Sequence, residues 1–116
     1  MLGGARTKQQ AYEMEIGARE VGCIPCRIKG LYSEAQIHHA YQKPKDVAKH
    51  SWFYSCCPWH HQGLSGNNPS LEESIKGPSM ALNKKAYLRE FGTEAELVEL
   101  CKQAIASFRE TVIGNS

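Results

Sequence analysis

The strongest periodicity lies near the end of the chain. Leu97, Cys101, Ala104, Ile105, Phe108 and Val112 recur at three- and four-residue spacing and lay one apolar stripe along a helix. Thr93-Glu94-Ala95-Glu96 ahead of it forms a capping box, in which the Thr hydroxyl and the Glu96 carboxylate each accept from the other's backbone N–H. Asn83 predicts the cap of a shorter helix through Lys84, Tyr87, Leu88 and Phe91, closed by Gly92. Thr7-Lys8-Gln9-Gln10 has the same box form, and Ala11, Tyr12, Glu15, Ile16 and Glu20 follow without a strong breaker, so a first helix is expected over roughly 7–20. Between Val21 and His61 no helical period is sustained, and Gly22, Pro25, Gly30 and Pro44 punctuate the stretch. Leu31-Tyr32 with Gln36-Ile37-His38, and Trp52-Phe53-Tyr54-Ser55-Cys56, have strand composition. They predict two short strands joined by a loop of about a dozen residues. The runs Leu64 to Ser70 and Gly77-Pro78-Ser79 are rich in turn formers and are expected to be loops.

These elements share a small core. A chain of 116 residues buries only about two-thirds of its unfolded surface, so a clamping metal would supply stability that packing lacks. Fourteen Lys plus Arg against twelve Asp plus Glu leave a formal charge of +2, which excludes a generic polycation and leaves room for a local basic face. No apolar run approaches the roughly 20 residues that cross a bilayer. The start, Met1 to Gln10, has no apolar signal-peptide core, so a cytoplasmic protein is expected.

Residues 23–61 hold four of the five cysteines and all five histidines. Cys23-Ile24-Pro25-Cys26 is a C-x-x-C knuckle, and about 30 residues further on Cys57-Pro58-Trp59-His60 is a C-x-x-H knuckle. Each offers two ligands from a tight turn, and together they complete the tetrahedral three-sulfur, one-nitrogen shell of structural zinc. Buried thiols with a redox C-x-x-C are the competing reading, but no thioredoxin-like βαβ pattern surrounds them. Cys56 and Cys57 are strand neighbours that point to opposite faces, so with Cys57 selected by the C-x-x-H spacing Cys56 is expected to face the core or the other side of the hairpin. Cys101 falls on the stripe of the last helix. His38-His39, His50 and His61 exceed what one zinc needs. His38 and His61 can hold a catalytic divalent ion while His39, as neutral imidazole, takes a proton from water. A regular strand sends His38 and His39 to opposite faces, so a shared site requires the strand to end or bulge there.

The succession Cys23-Ile24-Pro25-Cys26, Gly30, Ser33, His38-His39, His50 and Cys57-Pro58-Trp59-His60-His61-Gln62, with the later Lys84-Lys85-Ala86-Tyr87 and Phe91-Gly92-Thr93-Glu94, resembles the HNH or ββα-metal nucleases. More narrowly it resembles the Ref-type, RecA-dependent recombination-enhancement nucleases of phages and prophages. The resemblance implies an α+β fold, a small zinc-stapled ββα-metal domain with N- and C-terminal helices, spanning 1–116 as one domain with its core at about 20–108. It implies a DNA endonuclease of the bacterial cytoplasm with His39 as general base and His50 as a further site residue. His38 and His61 would bind Mg²⁺, Mn²⁺ or Zn²⁺, and Cys23, Cys26, Cys57 and His60 the structural zinc. DNA and a RecA–DNA filament are the implied partners. Lys43, Lys45, Lys49, Lys84 and Lys85 are the expected contacts to backbone phosphate. The family carries another His between the last His pair and the Phe-Gly tail; Ser79-Met80-Ala81-Leu82 has none, so Ala81 marks a site one ligand short. The alternative is a non-catalytic zinc-stabilised module that binds DNA or protein, for which the surplus histidines have no use. A metal store or sensor is a third reading.

Overall fold

Thr7 opens the first helix through its side chain. In the computed structural model, which describes residues 6–40, 43–66 and 68–114, its hydroxyl accepts from the Gln10 N–H and the Gln10 side chain accepts from the Thr7 N–H. Helix α1 (Lys8–Glu15) runs without a break into a π-helical turn over Ile16–Val21, closed by the Gly22 N–H on the Gly17 carbonyl at 2.9 Å. The helix expected over roughly 7–20 is present, with its second half wound as a π-helix. The wider turn brings Ile16, Gly17 and Val21 all into the interior. Gly22 then reverses the chain at φ 78°, and a Cβ there would lie 2.7 Å from the Ser33 carbonyl oxygen, so only glycine fits.

A one-turn helix α2 (Ile24–Ile28) follows, then an extended stretch that reaches strand β1 (Gln36–His39). Leu31 and Tyr32 lie ahead of the strand rather than in it, and the Tyr32 hydroxyl donates to the Arg19 carbonyl instead. Strand β1 pairs antiparallel with β2 (Phe53–Cys56) in the register Gln36↔Cys56 to His39↔Phe53, so Trp52 also falls outside its expected strand. One face of this ribbon carries Ile37, Phe53 and Ser55. Ile37 and Phe53 meet Gly17 and Ile105, while the Ser55 hydroxyl donates to the Gly22 carbonyl at 2.6 Å. The other face carries Gln36, His38, Tyr54 and Cys56, looking at α3 (Pro58–Gln62) and α5 (Lys84–Phe91).

Helix α4 (Pro69–Lys76) begins inside a stretch whose composition predicts a loop. Asn68 caps it by accepting from the Leu71 N–H at 3.1 Å, Pro69 occupies its first position, and Lys76 pairs with Glu72 at 2.8 Å. The last helix, α6 (Glu94–Gly114), buries Leu97, Val98, Cys101 and Ile105, with Ala104 and Phe108 packed at the margin. Val112 is 48% exposed, because the helix outruns the core it covers. No helix among the described residues is long and apolar enough to cross a membrane. The result is an α+β domain in which a two-stranded ribbon is held between α6 with the π turn on one side and α3 with α5 on the other.

Candidate metal centre and histidine pairs

Both knuckles use the same local geometry. Cys23 is the N-cap of α2 and Cys26 its third residue; Cys57 is the N-cap of α3 and His60 its third residue. N-cap and N3 side chains lie on one side of a first turn, the arrangement the capping box exploits, so each spacing aims two ligands at one point. Within the first knuckle the Cys26 N–H donates to Cys23 Sγ at 3.5 Å. The hairpin then brings the two knuckles together. His60 Nδ1 lies 3.3 Å from Cys23 Sγ, 3.3 Å from Cys57 Sγ and 3.6 Å from Cys26 Sγ, and the Cys26 and Cys57 sulfurs are 3.9 Å apart.

Zinc bonds of about 2.3 Å to sulfur and about 2.0 Å to nitrogen imply tetrahedron edges of roughly 3.5–3.8 Å. The four buried ligand atoms all lie within 4.8 Å of one another, so the donor set and its spacing fit a structural zinc. The imidazole is also oriented for it. His60 Nε2 bonds the Lys76 carbonyl at 2.7 Å, which places the ring proton on Nε2 and the lone pair on Nδ1, toward the sulfurs. Trp59 Nε1 donates to the neighbouring Gly77 carbonyl at 2.9 Å, so the end of α4 closes over the centre.

The three thiols differ in how readily they ionise. Hydrogen bonds from Cys23 and Cys26 draw the Cys57 thiol far down. Burial pushes Cys23 up, and the bond to Cys23 together with the bond to Cys57 pushes Cys26 up. Burial disfavours a charged His60, but its bonds to Cys26 and Cys57 outweigh that and lift it to about 9. Cys56 and Cys101 stand outside this cluster: Cys56 Sγ faces the Tyr87 hydroxyl at 3.8 Å, and Cys101 Sγ faces Ser55 at 3.8 Å.

The remaining histidines form two pairs. His38 and His61 rings stand edge to face with centroids 5.0 Å apart, and His61 Nδ1 lies 3.1 Å from Gln36 Oε1. Burial, then the neighbouring His38 ring, holds the His61 imidazole below its ordinary value, which favours the neutral ring that can ligate. His39 Nε2 and His50 Nδ1 are 3.3 Å apart, with ring centroids at 5.3 Å. The ladder is regular up to His39, where β1 ends, so the two pairs leave on opposite faces: His38 beside its cross-strand partner Tyr54, His39 beside Phe53.

One residue of this site is absent from the expected site residues, although it ends the Phe91-Gly92-Thr93-Glu94 run. Glu94, at the start of α6, places Oε1 2.7 Å from His38 Nε2, with the two side chains only 11% and 6% exposed. The Tyr54 hydroxyl lies 3.4 Å from the same oxygen and 2.7 Å from the Tyr87 hydroxyl. Burial pushes both phenols up, so both keep their protons.

The expected phosphate contacts are dispersed. Lys43 donates to the Pro44 and Val47 carbonyls at 3.1 and 2.6 Å and so braces its own loop. Lys45 is exposed in that loop, and Lys84 and Lys85 are exposed on the first turn of α5. The Lys49 side chain lies outside the described residues. Ala81 is exposed in the turn after Met80, whose N–H donates to the His60 carbonyl at 2.9 Å.

A search of curated proteins finds no match. Across residues 5–106, which hold both knuckles, both histidine pairs and Glu94, the sequence matches the family described as "Recombination enhancement, RecA-dependent nuclease", and the chain belongs to that family.

Proposed function

We infer from membership of this family a metal-dependent nuclease role linked to RecA-dependent recombination. We propose that the chain is an HNH-type endodeoxyribonuclease of phage or prophage recombination, hydrolysing phosphodiester bonds in DNA with His39 as general base. The observation that carries this reading is the pairing of all the histidines zinc does not need, two by two, at the end of β1. His39 takes the proton of the attacking water through one ring nitrogen, while His50, 3.3 Å from its Nε2, holds the ring. His38 and His61 hold a divalent cation, for which imidazole donors favour Mn²⁺ or Zn²⁺ over Mg²⁺. When bound, that ion polarises the phosphate and stabilises the leaving 3′ oxygen. Hydrolysis leaves 5′-phosphate and 3′-hydroxyl ends. Lys45, Lys49, Lys84 and Lys85 steer the backbone, and a RecA filament presents it.

Nicking of supercoiled plasmid in Mg²⁺ or Mn²⁺, with and without RecA filaments, tests this. The expected result is cleavage that falls on the order of 10²–10⁴-fold in His39→Ala while the variant still holds one zinc. Ala81→His is expected to raise cleavage if the second ion lacks a ligand. Absence of cleavage from every variant under every condition would overturn the nuclease and leave the zinc-stabilised binding module.

A further inference from the structure

His38 and Glu94 lie 56 positions apart in sequence and meet as a buried hydrogen-bonded pair, at 2.7 Å. An ionised carboxylate has only acceptors, so the nitrogen facing it must carry a proton. Gln36 imposes no such rule on His61, because its amide can present either oxygen or N–H₂. Of the two imidazoles, only His38 therefore faces a partner that dictates which nitrogen holds the lone pair.

We propose that Glu94 is a positioning residue that fixes His38 as the Nε2–H tautomer, so that Nδ1 is the atom His38 offers to a divalent cation. The identity of that ligand rests on the nuclease reading above; the tautomer does not. The arrangement is the carboxylate–histidine–metal relay, in which the carboxylate orients the ring and raises its basicity. The carboxylate is itself held, by the Tyr54 hydroxyl at 3.4 Å, which in turn meets Tyr87 at 2.7 Å. A polar chain thus runs inward from His38 to Tyr87, whose hydroxyl lies 3.8 Å from Cys56, the neighbour of the zinc ligand Cys57. Glu94 also sits in the first turn of α6, where any carboxylate favours the helix. That role alone would change stability and leave the His38 tautomer untouched.

The test is long-range ¹H–¹⁵N NMR of the zinc-loaded full chain labelled at histidine, in the wild type, Glu94→Gln and Glu94→Ala, followed by Mn²⁺ titration. His38 is expected as the Nε2–H tautomer in the wild type and in Glu94→Gln, whose amide oxygen still accepts, and as a mixture in Glu94→Ala. Mn²⁺ binding should weaken on the order of 10–100-fold in Glu94→Ala and less in Glu94→Gln, with one zinc retained throughout. A wild-type His38 found as Nδ1–H or doubly protonated, or an unchanged tautomer in Glu94→Ala, would overturn the proposal. Should the alanine variant fail to fold, the wild-type spectrum decides alone. A locked tautomer without any DNA cleavage would count against the nuclease and leave the positioning role intact.

Discussion

Gly22 shows how much a single position sets at this centre. It closes the π turn, reverses the chain at φ 78° and delivers Cys23 to the cluster, with the Cys23 N–H bonded to Ser33 O at 2.9 Å. Gly22→Ala adds a methyl where the Ser33 oxygen and the Tyr32 ring both lie at 2.7 Å, in a backbone conformation that L-residues avoid. The expected cost is about 1–3 kcal/mol of stability, read by thermal or denaturant melting of the zinc form, together with weaker zinc retention. A variant as stable as the wild type would show that the turn can open without strain. At this scale the cluster of Cys23, Cys26, Cys57 and His60 is legible in the sequence because an N-cap and an N3 residue are always three apart, whatever the rest of the fold does. The role of Glu94 is not legible, although the residue ends a recognisable run. Its spacing from His38 is set by the packing of α6 against the ribbon, and locally it reads as one more acid at a helix start.

Helix α4 illustrates the same limit for elements. None of its residues is buried, and Leu71 and Ile75 are 57% and 51% exposed, so no apolar stripe pointing to the core announces it. Its signals are the cap at Asn68, the proline at its first position and the Glu72–Lys76 pair, within a run that otherwise spells turns. The long helix α6 and its capping box are legible for the opposite reason: a buried face repeats over several turns, and Thr93 and Glu96 bond reciprocally. What α4 contributes is at its far end, where the Lys76 and Gly77 carbonyls receive His60 Nε2–H and Trp59 Nε1–H. Asn68→Ala removes the cap at the near end, at a cost of about 1 kcal/mol. In a domain this size that lowers the melting temperature by roughly 3–6 °C. Zinc should also pass faster to a chelator, since a frayed α4 loosens the acceptor that orients His60. Unchanged zinc release at a lowered melting temperature would separate α4 from the metal centre.

The interior of the whole molecule is divided between two clusters of different chemistry. The larger gathers Met14, Ile16, Val21, Phe53, Tyr54, Leu97, Val98 and their neighbours around the ribbon, and includes Cys56 and Cys101. The smaller consists of Cys23, Cys26, Cys57 and Trp59, beside His60, and has little apolar surface of its own to bury. A structural zinc would supply its cohesion, since binding in comparable sites is worth on the order of 10 kcal/mol. That is as large as the whole stability of an ordinary domain, about 5–15 kcal/mol. Both strands of the ribbon lead into this clamp, so loss of the ion should release the larger cluster too. The five cysteines report on this directly, because all are buried and none is in a disulfide. In the zinc form, a thiol reagent is expected to meet no reactive sulfur. After chelation all five should react at one common rate, since the unfolding that frees Cys23, Cys26 and Cys57 also exposes Cys56 and Cys101. If only those three react while Cys56 and Cys101 stay protected, the larger cluster folds without the metal. Zinc would then be a local brace for the knuckles and the histidines beside them rather than a condition of the fold.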